Sequence, residues 1–347
     1  MSQTAPLPAP DAIEVIAPNF KRRHTGLTST LIRLVPVQAA WIGIDPSGPD
    51  LPPGLPNLPP SRLPVSKGRR MGAPRVWNAR RNVEMIGGLA LKHIARKKLK
   101  LVFTSAAQRQ HTGFTRWLIR QMDAVIATST KSAGFLEREA TVINHGVDCV
   151  QFTPVEDRAA MRQSLDLPVE GPLVGCFGRI RHQKGNDLFV ECMLRVFAQT
   201  PQGKALVLGR ATHEHKAYLK DLKDKVAAHG MSDRILFRDE VPFEQLTAHF
   251  QALDLYVAPQ RREGFGLTPL EAMACGVPVV ATRAGAFEDL VLSGKTGYLI
   301  DIEDIEAMTR RTLELVTDAK KRADFAKNSR NRTRKHFTIE RESASLI

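Results

Sequence analysis

Two apolar runs near the middle of the chain, LVGCFG (173–178) and KALVLG (204–209), each end in glycine and lead into a helical pattern. Their helical partners are NDLFVECMLRVFAQ (186–199) and AYLKDLKDKVAAHG (217–230), the second amphipathic and closed by Gly230. Short apolar runs bounded by turn residues read as buried strands. By the same rule ILFRDEV (235–241), LDLYVAP (253–259), PVVAT (278–282) and GYLI (297–300) are strands. The first half is less regular. IEVIAP (13–18), LKLVFTS (99–105), DAVIATS (123–129) and a short piece of ATVINHGVD (140–148) read as strands. Helices are predicted near 28–35, over TRWLIRQM (115–122), and over VWNARRNVEMIGGLALKHIARKKL (76–99), whose outer face is heavily basic. The proline-dense segment 46–64 can be neither helix nor central strand and reads as an extended connection. The last residues, RNRTRKHFTIERESASLI (330–347), are helical and basic. Strands alternating with helices predict an α/β protein with parallel sheets covered on both faces.

At 347 residues the chain exceeds what one hydrophobic core usually serves, so two domains are expected, meeting near the polar QFTPVED (151–157). Residues 1–150 hold 21 Lys and Arg against 9 Asp and Glu, whereas the remaining 197 hold 29 against 27. The net charge of +14 therefore belongs to the first half. Such a field attracts anionic surfaces, although a solvated, solubilising face explains it too. No run approaches the ~18 apolar residues of a membrane-spanning helix. The four cysteines are scattered without metal-type pairing, and the N-terminus lacks the basic and apolar regions of a secretory signal. A cytoplasmic protein is expected. Aromatic content of 6% and no recognisable module argue against a nucleic-acid binder.

Residues 263–282, EGFGLTPLEAMACGVPVVAT, carry the most chemistry. Thr268 and Pro269 suit the N-cap and first position of a helix, and Glu271 three residues later completes a capping box. Helix amides behind Gly264 and Gly266 would make a phosphate site. Carboxylates on either side, Glu263 and Glu271, suit a polyhydroxylated ligand, since each accepts two hydroxyl protons. Glu271 thus has two readings, helix cap or ligand contact. A second stretch, GRIRHQKGND (178–187), follows a strand and opens a helix, where open α/β sheets bind ligands. Arg179 and Lys184 there could close on one diphosphate, or form an exposed basic loop.

E-x7-E followed by A-x-A-C-G-x-P-V-V-A-T resembles the donor-site signature of the retaining family-4 glycosyltransferases, and GRIRHQKGND resembles their G-R-x-x-x-x-K-G motif. The resemblance implies the GT-B fold, two Rossmann-like doubly wound domains with a cleft between them. It places an acceptor domain at 1–152, a nucleotide-sugar domain at 153–332, and a tail from about 333 packing back on the first. It implies that Glu263 touches hydroxyls of the transferred sugar and that Glu271 binds the donor ribose, and it adds the backbone of Phe265, Leu267 and Thr268 to the phosphate site. Arg179 and Lys184 would neutralise the leaving diphosphate in place of a metal ion. His111 would face the donor sugar, and Gly26 would lie beneath the diphosphate, with Thr25 where the family has another glycine. The strand carrying Arg238 and Asp239 would read the base. Arg22, Arg23 and His24 could meet an anionic acceptor or be a solvated cluster. No cofactor is implied beyond the donor substrate. The whole chain is similar to the lipopolysaccharide core mannosyltransferases of Gram-negative bacteria, which implies GDP-mannose, an anionic glycolipid acceptor and contact with the cytoplasmic face of the inner membrane. A UDP-glucose or UDP-galactose enzyme, an epimerase of the same fold, and a non-catalytic glycolipid binder remain as alternatives.

Overall fold

The computed structural model describes residues 12–20, 26–49, 51, 55, 59, 61, 63 and 72–347. It divides into two units, Met1–Asn144 with Ile339–Ile347, and His145–Thr338. The division falls ahead of the 151–157 segment, and the tail joins the first unit from Ile339 rather than from 333. The basic helix α12 (Ala319–His336) stays in the second unit, is capped by Phe337, and α13 (Ile339–Leu346) begins afresh.

The first unit is a six-stranded sheet in the order β2-β1-β3-β4-β5-β6, with every pairing parallel. Its strands are β1 (Val15–Pro18), β2 (Ile44–Ser47), β3 (Arg75–Ala79), β4 (Leu99–Ser105), β5 (Ala124–Ala127) and β6 (Thr141–Val142). Pro46 is tolerated because β2 is an edge strand. Helix α1 covers Gly26–Ala39, α2 covers Asn82–His93 and α3 covers Gly113–Arg120. One expectation fails here. VWNA is not the start of a helix but the body of β3, because Trp77 and Ala79 alternate into the core with no exposure while Asn78 faces the other side. The Trp77 indole then donates to the Glu84 carbonyl at 2.8 Å, fixing α2 to the strand that precedes it.

The second unit repeats the plan with strand order β12-β11-β10-β7-β8-β9, again all parallel. The strands are β7 (Leu173–Phe177), β8 (Lys204–Leu208), β9 (Ile235–Arg238), β10 (Leu255–Ala258), β11 (Val279–Thr282) and β12 (Gly297–Ile300). Strands β7, β10 and β11 are buried along their whole length, as expected of a sheet with helices on both faces. One layer centres on Phe177, Phe250, Tyr256 and Phe287, the other on Phe189, Phe197 and Met308. Strands β7 to β9 step one way from the middle of the sheet and β10 to β12 step the other. The β7–β10 seam is therefore the topological switch point, the crevice where such sheets bind ligands.

Candidate active site

Two loops leave the carboxyl ends of β7 and β10 side by side. The first runs from Gly178 through a tight turn at His182–Lys184 to Gly185, and α6 (Asn186–Phe197) follows. Gly185 sits at φ 71°, and a Cβ there would lie 2.0 Å from the Pro259 carbonyl oxygen, so only glycine lets the two loops touch. The second loop runs from Pro259 to Gly266. Arg261 fastens the pair. Its guanidinium grips both carboxylate oxygens of Asp187 at 2.8 Å, reaches the His182 carbonyl at 2.7 Å and touches Glu303 at 2.8 Å. Its own amide donates to the Gln183 carbonyl at 3.0 Å. Tyr218 adds a hydroxyl bond to Asp187 at 2.8 Å. Burial alone would raise the Asp187 carboxyl, but Arg261, Tyr218 and the backbone amide outweigh it and hold Asp187 below the usual range. Arg261, Asp187 and Tyr218 are the residues that sequence reasoning missed, since nothing local in sequence joins positions 74 apart.

The clasp brings Lys184 onto Glu263: the ammonium contacts one carboxylate oxygen directly, with both side chains mostly buried. The other oxygen accepts the Gly264 amide at 2.9 Å. Of the three backbone donors expected at 264–266, that of Gly264 is thus engaged by Glu263 itself. Phe265 is a buried core side chain, edge-on to His145 at 4.8 Å, and its carbonyl takes the Ala286 amide at 3.0 Å. What it can offer a ligand is main chain.

The helix α9 (Leu267–Ala274) corrects the capping assignment. Its N-cap is Gly266, not Thr268. At φ 90° Gly266 turns the chain into the helix two residues early, and a Cβ there would meet the Phe287 ring at 2.2 Å. Thr268 and Pro269 therefore lie inside the first turn. The buried Tyr256 phenol donates to the Phe177 carbonyl at 3.2 Å. Burial keeps that phenol protonated far above its ordinary range. Glu271 falls in the second turn, on the face of α9 that also carries Thr268, and is 3% exposed. It is too deep in the helix to cap it, so the capping-box reading of Glu271 is withdrawn.

The other candidates are more dispersed. Arg179 stands exposed on the first loop, outside the hydrogen bonds of the clasp among the described residues. Arg238 ends the edge strand β9 and turns to Asp166 at 3.3–3.4 Å, half-exposed and outside the Lys184–Glu263 cluster. Asp239 beside it is exposed. In the first unit His111 follows β4 and packs on Phe103, with its Nε2 3.5 Å from the Ser105 hydroxyl. Burial lowers its pKa and favours the neutral ring. Gly26 is the first residue of α1 rather than a loop position. Arg22, Arg23, His24 and Thr25 lie outside the described residues. Cys176 and Cys192 are core thiols pushed up to about 12 by burial, and Cys275 is raised by the same cause.

A basic turn pinned against a glutamate loop and a helix N-terminus, at the switch point of a doubly wound sheet, has the chemistry that suits a phosphorylated, hydroxylated ligand. Residues 157–332, which hold this site, match the family described as glycosyl transferases group 1. The chain is 49% identical over 339 residues to the lipopolysaccharide core biosynthesis mannosyltransferase LpsB of Rhizobium meliloti (strain 1021), covering 96% of each. It is 48% identical over 340 residues to the corresponding enzyme LpcC of Rhizobium leguminosarum bv. viciae, covering 96% of this chain and 95% of that one. The structure of Anabaena Alr3699/HepE in complex with UDP and glucose superposes with a TM-score of 0.81 at 19% identity, covering 96% and 98% of the two chains. The chain accordingly belongs to the group 1 glycosyl transferases, has the GT-B fold, and is a glycosyltransferase.

Proposed function

We propose that the protein transfers mannose from GDP-mannose to the inner core of lipopolysaccharide, with retention of the anomeric configuration and without a metal ion. The observation that carries this reading is the Lys184–Glu263 pair at the β7–β10 switch point, beside the start of α9. The likeness to two lipopolysaccharide core mannosyltransferases along nearly the whole chain supports the sugar and the acceptor. Lys184 and Glu263 neutralise each other before the donor arrives. On binding, the diphosphate takes over Lys184 with help from Arg179, and Glu263 turns to the sugar hydroxyls. Glu271 receives the ribose hydroxyls, the backbone of 265–267 and Thr268 line the phosphate path, and the main chain near Arg238 meets the base. His111, held neutral by burial, and Gly26 are the residues of the first unit that the resemblance assigns to the donor.

The chemistry follows from charge. As the anomeric bond breaks, the transition state gains oxocarbenium character and the diphosphate gains negative charge. Cations and helix amides aimed at that charge lower the barrier, because they stabilise the transition state more than the ground state. The leaving diphosphate accepts the acceptor proton on the same face, which preserves configuration. The test offers GDP-mannose, UDP-glucose and UDP-galactose, each with and without core oligosaccharide, and follows nucleotide release and the anomeric proton of the product. Acceptor-dependent GDP release with an α-mannoside product, unaffected by EDTA, is expected. Turnover of a UDP-sugar in preference, release of free sugar without acceptor, or inactivation by EDTA would overturn the corresponding part.

A further inference from the structure

Helices α2 and α3 present large apolar side chains to solvent. On α2, Val83 is 43% exposed, Ile86 45% and the capping Ile94 83%. At 100° per residue these three lie within one narrow stripe of the helix, opposite the buried Glu84, Met85 and Gly88. On α3, Phe114 is 55% and Trp117 52% exposed, and their rings stack at 6.1 Å. The two helices share one layer. Strands β3, β4 and β5 are neighbours in order, so both right-handed crossovers fall on the same face of the sheet. Asn82 at the start of α2 bonds the Thr115 hydroxyl of α3 at 2.8 Å. From Val83 to Ile94 the stripe runs about 16 Å at 1.5 Å per residue, too long for a single sugar contact.

Charge decides what covers this face. Residues 80–123 carry ten Lys and Arg against two acidic residues, Glu84 and Asp123. Both carboxylates are already engaged, Glu84 by Arg81 and Asp123 by Lys92 and Lys100. On the α3 side Arg116 and Arg120 share the single Glu137. Arg96, Lys97 and Lys98 cluster beyond the end of α2 next to Ile94. A second copy of the chain is disfavoured, since a twofold contact would oppose one excess of positive charge with another. Apolar and aromatic side chains within a basic surround fit an anionic lipid surface, where the rings enter the headgroup boundary and the cations meet lipid phosphates.

We propose that the outward face of α2 and α3 is a docking surface for an anionic lipid bilayer. The experiment sediments the full chain with vesicles of phosphatidylglycerol and phosphatidylethanolamine in equal parts, and with vesicles of phosphatidylcholine alone, over a range of salt. Binding to the anionic vesicles only, weakened by salt, is expected. The double variant Phe114→Ser/Trp117→Ser should partition at least tenfold less, with an unchanged thermal midpoint. Lipids brominated on their acyl chains should quench the protein's fluorescence. That quenching should disappear in Trp117→Phe and persist in Trp41→Phe, since Trp41 is equally exposed but follows α1. Equal binding to neutral vesicles, no binding at low salt, or quenching that survives Trp117→Phe would overturn the proposal. Neither donor nor acceptor enters this assay, so its failure and a failure of the mannosyl reading are read separately.

Discussion

A lysine and a glutamate 79 positions apart share one contact, and each neutralises a charge that would otherwise be costly in a half-enclosed loop. Removing the lysine tests its assigned work at the diphosphate. Lys184→Ala should lower kcat at least tenfold at saturating donor, consistent with ~2–3 kcal/mol for a lost charge-assisted contact. A near-normal kcat would refute the role. Because the same substitution strands Glu263, Lys184→Ala/Glu263→Gln should recover thermal stability but not turnover; recovery of both would make the pair structural only. Glu271 is a sharper case than its sequence suggested. T-P-L-E reads as a capping box from spacing alone, but the positive φ of Gly266 starts the helix earlier, and no pattern of side chains announces a backbone angle. With capping removed from its duties, Glu271→Gln keeps the shape and should leave the thermal midpoint unchanged while raising the donor KM about tenfold, the cost of one charged hydrogen bond. Unchanged donor binding would end the ribose assignment. Glu263 and Lys184, which the structure brings into contact, stood out because motif residues announce their type. The partners that hold them, Arg261 and Asp187, were not, since Arg261 reads only as one of two arginines before a glutamate.

Among elements, the two loops at the switch point depend on a clasp rather than on either loop alone. Arg261 bonds Asp187 at the start of α6, the His182 carbonyl in the turn before it, and Glu303 beyond β12. Arg261→Ala should therefore misplace Lys184 against Glu263, cutting kcat and raising the donor KM together, each by at least fivefold, since small displacements of a positioned group are costly. Arg261→Lys cannot make the two-pronged contact and should fall between. A variant that loses stability but retains both kinetic constants would show a scaffold role only. The clasp also has a pH signature. Asp187 is held below the usual carboxylate range in the folded state, so its contribution is present above the unfolded value near 3.8 and fades as pH falls through the folded one. Without Arg261 only Tyr218 and the backbone amide oppose burial, so Asp187 is held down less strongly. The stability gap between wild type and Arg261→Ala, measured by urea midpoints, should thus be widest near neutral pH and shrink below about pH 4; a constant gap would exclude Asp187 as its source. The repeating strand–helix texture of the second unit was readable throughout, because its strands are continuous apolar runs. Strand β3 was not: four residues, VWNA, abut the basic helix α2 without a turn residue to mark the change, and only the pairing of β3 with β1 and β4 decides the matter.

Over the whole molecule, charge and chemistry are divided. Residues 1–150 account for 21 − 9 = 12 of the 14 net positive charges, and the remainder for 29 − 27 = 2. The alternation of strands and helices foretold both sheets, but not that the tail would join the first unit only from Ile339, because α12 and α13 are separated by just Phe337 and Thr338. A strongly basic first unit and a nearly neutral second unit should respond differently to salt. Exposed charges are screened beyond about 10 Å at 0.1 M salt, whereas mostly buried contacts such as those of Lys184 and Glu263 are screened much less. Long-range attraction of an anionic acceptor to the first unit should therefore weaken with salt, while donor recognition rests on short contacts. Raising salt from about 50 to about 300 mM should increase the KM for a phosphorylated core oligosaccharide at least threefold and change the donor KM less than twofold. A soluble acceptor separates this effect from any lipid contact of α2 and α3. Equal shifts in both constants would mean that the basic field does not steer the acceptor.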